Sequence, residues 1–470
     1  MQTQVQVARP KLIAFVLMFA AFTGLFGETA MNMALTEIMA DYSVTESTAQ
    51  WLTTGYLLML AVFVPLSSYL VRWFTTQQLI LGAICFLLIG SILGGLAPTF
   101  VLLLIGRLVQ AMGTGITLPL MFSVIISIFP IHKRGSVMGI VGLVLTAGPA
   151  LGPTLSGLII SSASWHYIFW IMVVIYIVLF FVAVNKIDNI STITKPRIDV
   201  VSLLLSTIGF GGVVFALATL AEVSFSDLKV WLPLVIGVIC LVLFTVRQLK
   251  MKEPMMDLRV FMSPMYALGI MMMVATMFMI LSVAILTPIY LKSVLGFTAV
   301  FAGLIMLPGN VLNIIMSPIV GSNFDKVGAK TFTRIGYSLI TIALILFITL
   351  ISSTTPVWQV MVILCIFFVG VSMTIMPAQT NAMNALPFTK YADGSAALNT
   401  LTQVAGAAGT AVAITVFSSA QSKYIAEYGD QQPLEFLAYG IKHALIPVLI
   451  VAVIGLGCSL FIKNSRLEKQ

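Results

Sequence analysis

The sequence predicts an all-α integral membrane protein, with two six-helix pseudo-repeat halves and two inserted helices, fourteen transmembrane helices in all. Three observations lead there. Hydrophobic residues are 60% of the 470 and charged residues 9%, with a mean hydropathy of +1.09, too little charge to cover a water-exposed surface. At roughly 20 apolar residues per span the chain has room for more than a dozen helices, and backbone in hydrocarbon must satisfy its own hydrogen bonds, as long apolar runs do when helical. Lysine and arginine also collect on one side of the alternating spans.

Taken in order, apolar runs bounded by charge, Pro and Gly place the first six spans at 12–36, 48–71, 78–97, 100–124, 136–160 and 165–185. The preceding MQTQVQVARPKL is polar, and no small-residue cleavage site follows the first run, so that run is expected to be retained as a span. Two spans follow at 200–221 and 229–249, and six more at 266–291, 299–320, 331–352, 357–380, 395–418 and 441–462. PLSSYLVRWFTTQ (65–77) and PIVGSNFDKVGAK (318–330) each close an even-numbered span and enter a short basic loop, 253 residues apart. Adding that offset to the first span lands on the ninth. The expected division is therefore 1–186, a six-helix half; 187–262, a linker with two inserted helices; and 263–470, the second half. Such halves imply a transporter with its site between them near mid-membrane.

Charge orients the spans. Of the 24 Lys and Arg residues, Arg107 falls inside a span, Lys229, Lys292, Lys423 and Lys442 lie on one side, and the remaining nineteen lie with the termini. Both termini are thus expected in the cytoplasm and the loop near 421–440 outside. Trp51, Trp165, Trp231 and Trp358 fall where spans begin at the outer face, as an aromatic belt would. The net charge of +8 reflects the loop bias rather than nucleic acid, because no basic cluster is interleaved with aromatics. Cys85, Cys240, Cys365 and Cys458 sit in apolar runs without metal or redox spacing and read as structural.

Two charges remain inside the bilayer: Glu28 in the first span and Arg107 in the fourth. A charge at mid-helix costs about 2.5–3.5 kcal/mol on insertion scales, so a functional role is the stronger reading. The first span runs outward and the fourth inward. At about 1.5 Å per residue both charges lie roughly 10–12 Å below the outer surface. Glu28 is expected to be neutralised there by a proton or by Arg107 within an interior cavity. Asn32 lies one turn beyond Glu28, while Gln110 and Thr114 extend the Arg107 face.

GSNFDKVGAK (321–330) resembles the loop signature of the major facilitator superfamily through Gly321, Asp325, Lys326 and Gly328. The first-half equivalent, SYLVRWFTTQ, keeps Arg72 but lacks the Asp and Gly. LLIGRLVQAMGTG (103–115) resembles the superfamily's fourth-span motif, whose Arg is linked to proton movement. GLVLTAGPALGPTLSG (142–157) resembles its fifth-span antiporter motif, with Gly148 and Gly152 for close packing and Pro149 and Pro153 to bend the helix. FGETAMNMALTEI (26–38) and EPMMDLRVF (253–261) are similar to signatures of the fourteen-span drug:proton antiporters, the QacA/EmrB group, and the lincomycin-efflux branch looks closest. Glu28 stands where that group commonly has Asp.

The resemblance implies proton-driven export of amphipathic or lipophilic compounds, lincosamide-like antibiotics or lipophilic cations among them, across a bacterial cytoplasmic membrane. The expected partners are those small molecules, protons and the bilayer, with a functional monomer, no cofactor beyond the proton gradient, no metal and no catalytic residue. Asn313 in the tenth span and Asn399 and Gln403 in the thirteenth are expected at the substrate cavity with Asn32, Gln110 and Thr114. Asn399, Gln403, Gly406 and Thr410 follow helical spacing, a stripe that interhelical hydrogen bonds explain as well as substrate does. Asp393 is the next candidate proton carrier after Glu28. Export of one endogenous lipid, peptide or metabolite is the alternative. A membrane enzyme or sensor would need convergent titratable groups or a soluble domain.

Overall fold

A computed structural model of the chain describes residues 9–186, 193, 199–220, 227–428 and 433–464. These residues form α-helices with no strand among them. In chain order the first half holds α1 (Pro10–Tyr42), α2 (Glu46–Trp73), α3 (Thr76–Gly95), α4 (Phe100–Ile128), α5 (Ile131–Ser162) and α6 (His166–Lys186). The inserted pair is α7 (Val200–Leu220) and α8 (Leu228–Lys250). A one-turn 3-10 helix, Leu258–Met262, leads to α9 (Pro264–Ile289), which continues as a π-helical turn, Tyr290–Val294. Then come α10 (Ala299–Val327), α11 (Ala329–Leu350), α12 (Val357–Asn384), α13 (Tyr391–Tyr428) and α14 (Pro433–Phe461). Thirteen of these are long and apolar enough to cross a membrane; α5 contributes the shorter apolar stretch Ser136–Pro149.

Local chemistry sets the helix starts. Thr45, Thr99 and Thr298 accept the N–H of the residue three further on, and Thr75 with Gln78 forms a reciprocal capping box. Gly328 joins α10 to α11 at φ +83, a left-handed conformation that a side chain resists. Asn464, returning from α14, accepts the Lys330 N–H beside it at 3.0 Å.

Two expectations change. The loop placed at 421–440 is helical as far as Tyr428, with Lys423 and Glu427 on α13, and α14 begins at Pro433; residues 429–432 lie outside the described set. Hydropathy marks where hydrocarbon ends, whereas helix hydrogen bonding continues past that limit. Trp165, read as part of a lipid-facing belt, is 2% exposed and donates to Asp41 Oδ2 at 2.7 Å. Trp51, Trp231 and Trp358 are exposed.

Within the first half α1 packs on α5, α4 and α2, and α3 packs on α4 and α6; within the second, α9 packs on α13, α12 and α14, and α11 on α12 and α14. The inserted α7 and α8 pack on one another, with α7 also against α2 and α13. The face that carries both chain ends, here called the basic face, is tied by Arg72–Asp393, Arg247–Asp199 and Lys390–Asp257. The opposite face is tied by Tyr42 to the Ala97 carbonyl and Tyr290 to the Ser352 carbonyl.

α5 packs on α10 and α2 on α13 across the halves, and several direct contacts lie toward the basic face. Besides Arg72–Asp393, the Ser395 hydroxyl donates to the Pro119 carbonyl at 3.2 Å, and Gly139 of α5 lies against Ser317 and Gly321 of α10. The halves thus touch at the basic face. Toward the opposite face Asn32 is exposed and Glu28 half-buried.

Candidate functional site

The site assembles where α1, α2, α4 and α6 converge. Arg107 of α4 is fully buried. Its Nη1 donates to Gln110 Oε1 at 2.9 Å, one turn along the same helix. Its guanidinium carbon stands 4.3 Å from the centre of the Tyr56 ring, a desolvated cation–π contact. Gln110 passes the connection on, donating to Ser91 of α3 at 2.7 Å. The Tyr56 hydroxyl donates to the Gly24 carbonyl at 3.1 Å and shares a 2.7 Å bond with Thr114. One buried cation is therefore oriented by polar groups on α2, α3 and α4.

Glu28 and Arg107 share a level. A methyl built at Gly27 would sit 3.8 Å from Arg107 Nη1, so the guanidinium lies against the residue next to Glu28. The two side chains nonetheless form no ion pair within 4.0 Å. Instead Glu28 Oε2 and Arg107 Nε and Nη2 are buried without hydrogen-bond partners, as is the nearby Tyr176 hydroxyl of α6. Of these groups the carboxyl can take up or release a proton, whereas the guanidinium and the phenol are donors with N–H and O–H groups free for polar ligand atoms. Beyond Glu28 along α1, Asn32 Oδ1 accepts from Thr53 of α2 at 2.8 Å.

The turn bearing Glu28 is fixed from behind by α5. A side chain at Gly148 would meet Leu25 and the Phe22 carbonyl, and one at Gly152 would meet Thr29 and the Ala30 backbone. Thr29 uses this approach to donate to the Pro149 carbonyl at 3.3 Å. Backbone-to-backbone approach through glycine is how membrane helices gain van der Waals contact without a hydrophobic driving force. The Pro153 side chain lies outside the described residues.

The other expected site residues are more dispersed. Gln110 and Thr114 are buried within the Arg107 network rather than on an open wall. In the second half Asn313 is buried and accepts from Ser317 at 3.3 Å. Asn399 donates to its own helix at the Ser395 carbonyl, and Thr410 to those of Gly406 and Ala407. The stripe on α13 is thus satisfied largely within the helix. Gly406 packs on Leu281 of α9, and Gln403 is half-buried. In the loop signature Gly321 is buried at the seam and Lys326 exposed; Asp325 lies outside the described side chains. Sequence reasoning passed over Tyr56, Ser91 and Tyr176. The Thr53–Tyr56 spacing, which puts two hydroxyls on one face of α2, was the available signal.

The sequence profile of the Major Facilitator Superfamily matches residues 17–410. The chain is 46% identical over 464 residues to a lincomycin resistance protein of Listeria innocua, covering 98% of each chain. It is 44% identical to the lincomycin resistance protein of Bacillus subtilis, covering 96% of this chain and 95% of that one. Its fold superposes on the human organic anion transporter MFSD10 with a TM-score of 0.66 at 11% identity, covering 96% of this chain and 99% of the other. On a profile match through most of its length and full-length relatives well above a third identical, this chain belongs to the major facilitator superfamily, in the company of the lincomycin resistance proteins.

Proposed function

We propose that the protein exports amphipathic or lipophilic small molecules from the bacterial cytoplasm in exchange for protons. The observation that carries this reading is Glu28: a half-buried carboxylate with one buried, unpartnered oxygen, level with a fully buried arginine. Such a group is costly to keep in a span unless its charge is used. With the basic face in the cytoplasm, as the lysine and arginine bias directs, Glu28 faces the outside when the halves are closed at that face. A proton taken up there displaces a cationic substrate from the carboxylate. When the halves rock apart at the basic face, the proton leaves inward and substrate re-enters. Asn32, bonded to Thr53, lies one turn from Glu28 on the approach, and Gln403 and cavity-facing Met side chains of the second half are assigned to the substrate. Met suits varied apolar ligands because it re-packs readily.

The full-length relatives named for lincomycin resistance support lincosamide-like antibiotics as one substrate class. Arg107 does not neutralise Glu28 by contact in this reading. It sets the local potential, held in place by Tyr56 and Gln110. The chain works as a monomer without cofactor, drawing on the proton gradient. The test is transport into reconstituted vesicles under an imposed pH gradient, screened over lipophilic cations and lincosamides. Gradient-dependent uptake of several unlike compounds is expected; uptake of none, or uptake indifferent to the gradient, would contradict the proposal.

A further inference from the structure

A cavity of about 500 Å³ lies outside the seam between the halves, enclosed by α7, α8, the 3-10 turn and α13. Phe210, Phe244, Met256, Ala397 and Thr400 form its buried floor. Thr245, Leu249 and Met262 form an exposed rim, so it opens sideways toward the bilayer. Its volume lies within the usual range of ligand pockets, about 300–1,000 Å³, but its lining lacks the convergent polar groups that orient a drug-like ligand. Two threonine hydroxyls are its polar side chains, and both are turned to their own helices, Thr245 to the Leu241 carbonyl and Thr400 to that of Ala396.

Depth decides what fits. The lining runs from Leu249 at the end of α8 to Leu241, and from Met256 at the basic face to Phe210 within α7. At about 1.5 Å per residue it reaches roughly 12–15 Å into the membrane. That is close to half of a hydrocarbon core roughly 30 Å thick, the length of one leaflet's tails. Charge at the mouth is one-sided. Lys250 and Lys252 flank the rim, are exposed, and form no ion pair among the described residues. Arg259 adjoins the rim residue Leu258 and is half-buried, its Nη2 donating to the Leu249 and Met251 carbonyls. Arg247 and Lys390 are already paired with Asp199 and Asp257, leaving Glu253 as the exposed acid in this stretch.

We infer that this cavity holds one acyl chain of an anionic phospholipid from the leaflet at the basic face, with its phosphate at Lys250 and Lys252. The lipid fills the joint where the inserted helices, the linker and the second half meet. Met256 and Ala397 form its inner wall, within a few residues of the Pro254 and Asp393 contacts of Arg72. An anionic lipid there wedges the inserted pair against α13.

Native mass spectrometry of the full-length protein, titrated with phosphatidylglycerol or phosphatidylcholine of matched chains, tests this. One phosphatidylglycerol is expected to remain bound at activation that strips the phosphatidylcholine. Each of Lys250→Gln and Lys252→Gln should weaken it about fivefold, the weight of one cation near an anionic surface. Thr245→Trp, at the exposed rim where folding is not at risk, should abolish it by closing the mouth. Equal retention of both lipids, or indifference to Thr245→Trp, would overturn the site. Displacement of the lipid by tetraphenylphosphonium would reassign the cavity to transported substrate.

Discussion

Asp393 takes both of its short hydrogen bonds from Nη2 of Arg72, at 2.6 and 2.7 Å, tying the last turn of α2 to the first turn of α13. The Asp393 side chain is 4% exposed and that of Arg72 24%. The other arginine nitrogen, Nη1, donates to the Pro254 carbonyl at 3.0 Å, and Ser68 donates to that of Met255 at 2.7 Å. The bond thus spans both halves and the linker between them, at the face where the halves meet.

Breaking it should loosen that face. Asp393→Asn removes a hydrogen bond to charge, about 1.5 kcal/mol at the low end, which shifts a two-state equilibrium about tenfold. Spin labels at exposed Lys133 and Lys326, on opposite halves of the basic face, should report longer distances in Asp393→Asn. The double exchange Arg72→Asp with Asp393→Arg should bring the shorter distance back. An unchanged distance distribution in Asp393→Asn would remove the pair from the conformational balance.

Gly152 carries the second expectation. A valine there must push α5 away from Thr29 and Ala30 and so move the turn bearing Glu28. Overpacking of this kind costs about 1–3 kcal/mol. Thermal unfolding of Gly152→Val should come several degrees early, with transport lost. Gly82→Ala and Gly457→Ala, where an added methyl meets nothing within 4 Å, should behave as the parent.

At the membrane surface, Asp199 accepts from Arg247 Nε at 2.7 Å and Nη2 at 3.0 Å, and from Ser202. The Arg247 hydrogen bond draws the Asp199 carboxyl down from 3.8 to about 2. Because the folded value is the lower one, the stabilisation is present above pH 3.8 and is lost as pH falls through about 2. The stability difference between parent and Asp199→Asn should therefore be flat from neutral pH down to about 4, decline below that and be gone under about 2. A difference that grows on acidification would assign the effect to another group.

Arg107→Ala should leave Gln110 without its cation and the Tyr56 face uncovered. Loss of a hydrogen bond to a buried charge, about 1.5–3 kcal/mol, predicts gradient-driven transport at least about tenfold slower. Arg107→Lys should recover part of this, since an ammonium can hold the charge but lacks the planar fork that meets Gln110 and the ring together. Undiminished coupled transport by Arg107→Ala would show the cation to be incidental.

The fold was legible because hydropathy marks thirteen of the spans outright, while α5 shows only the shorter apolar stretch Ser136–Pro149; each of the fourteen expected runs overlaps a long helix among the described residues. Glu28 and Arg107 were legible because a charge stands out against hydrocarbon. Tyr56 and Tyr176 were not: among 30 Phe and 12 Tyr, an aromatic in a span carries no contrast. The partner of Arg72 was hidden by a separation of 321 residues along the chain. Helix ends were blurred for a different reason, since α13 keeps its backbone bonds beyond its apolar stretch, as far as Tyr428.

In the proposed cycle Glu28 carries the coupling proton. Glu28→Gln keeps the shape and removes the titration, whereas Glu28→Asp shortens the arm by one methylene and keeps it. The most direct measurement is proton release when a lipophilic cation is added to the purified protein in weakly buffered detergent. The parent and Glu28→Asp should release protons on binding. Glu28→Gln should bind the cation with an affinity that no longer falls as pH drops, and release none. Release from Glu28→Gln equal to that of the parent, together with intact gradient-driven efflux, would contradict the account and move the proton to another carboxylate.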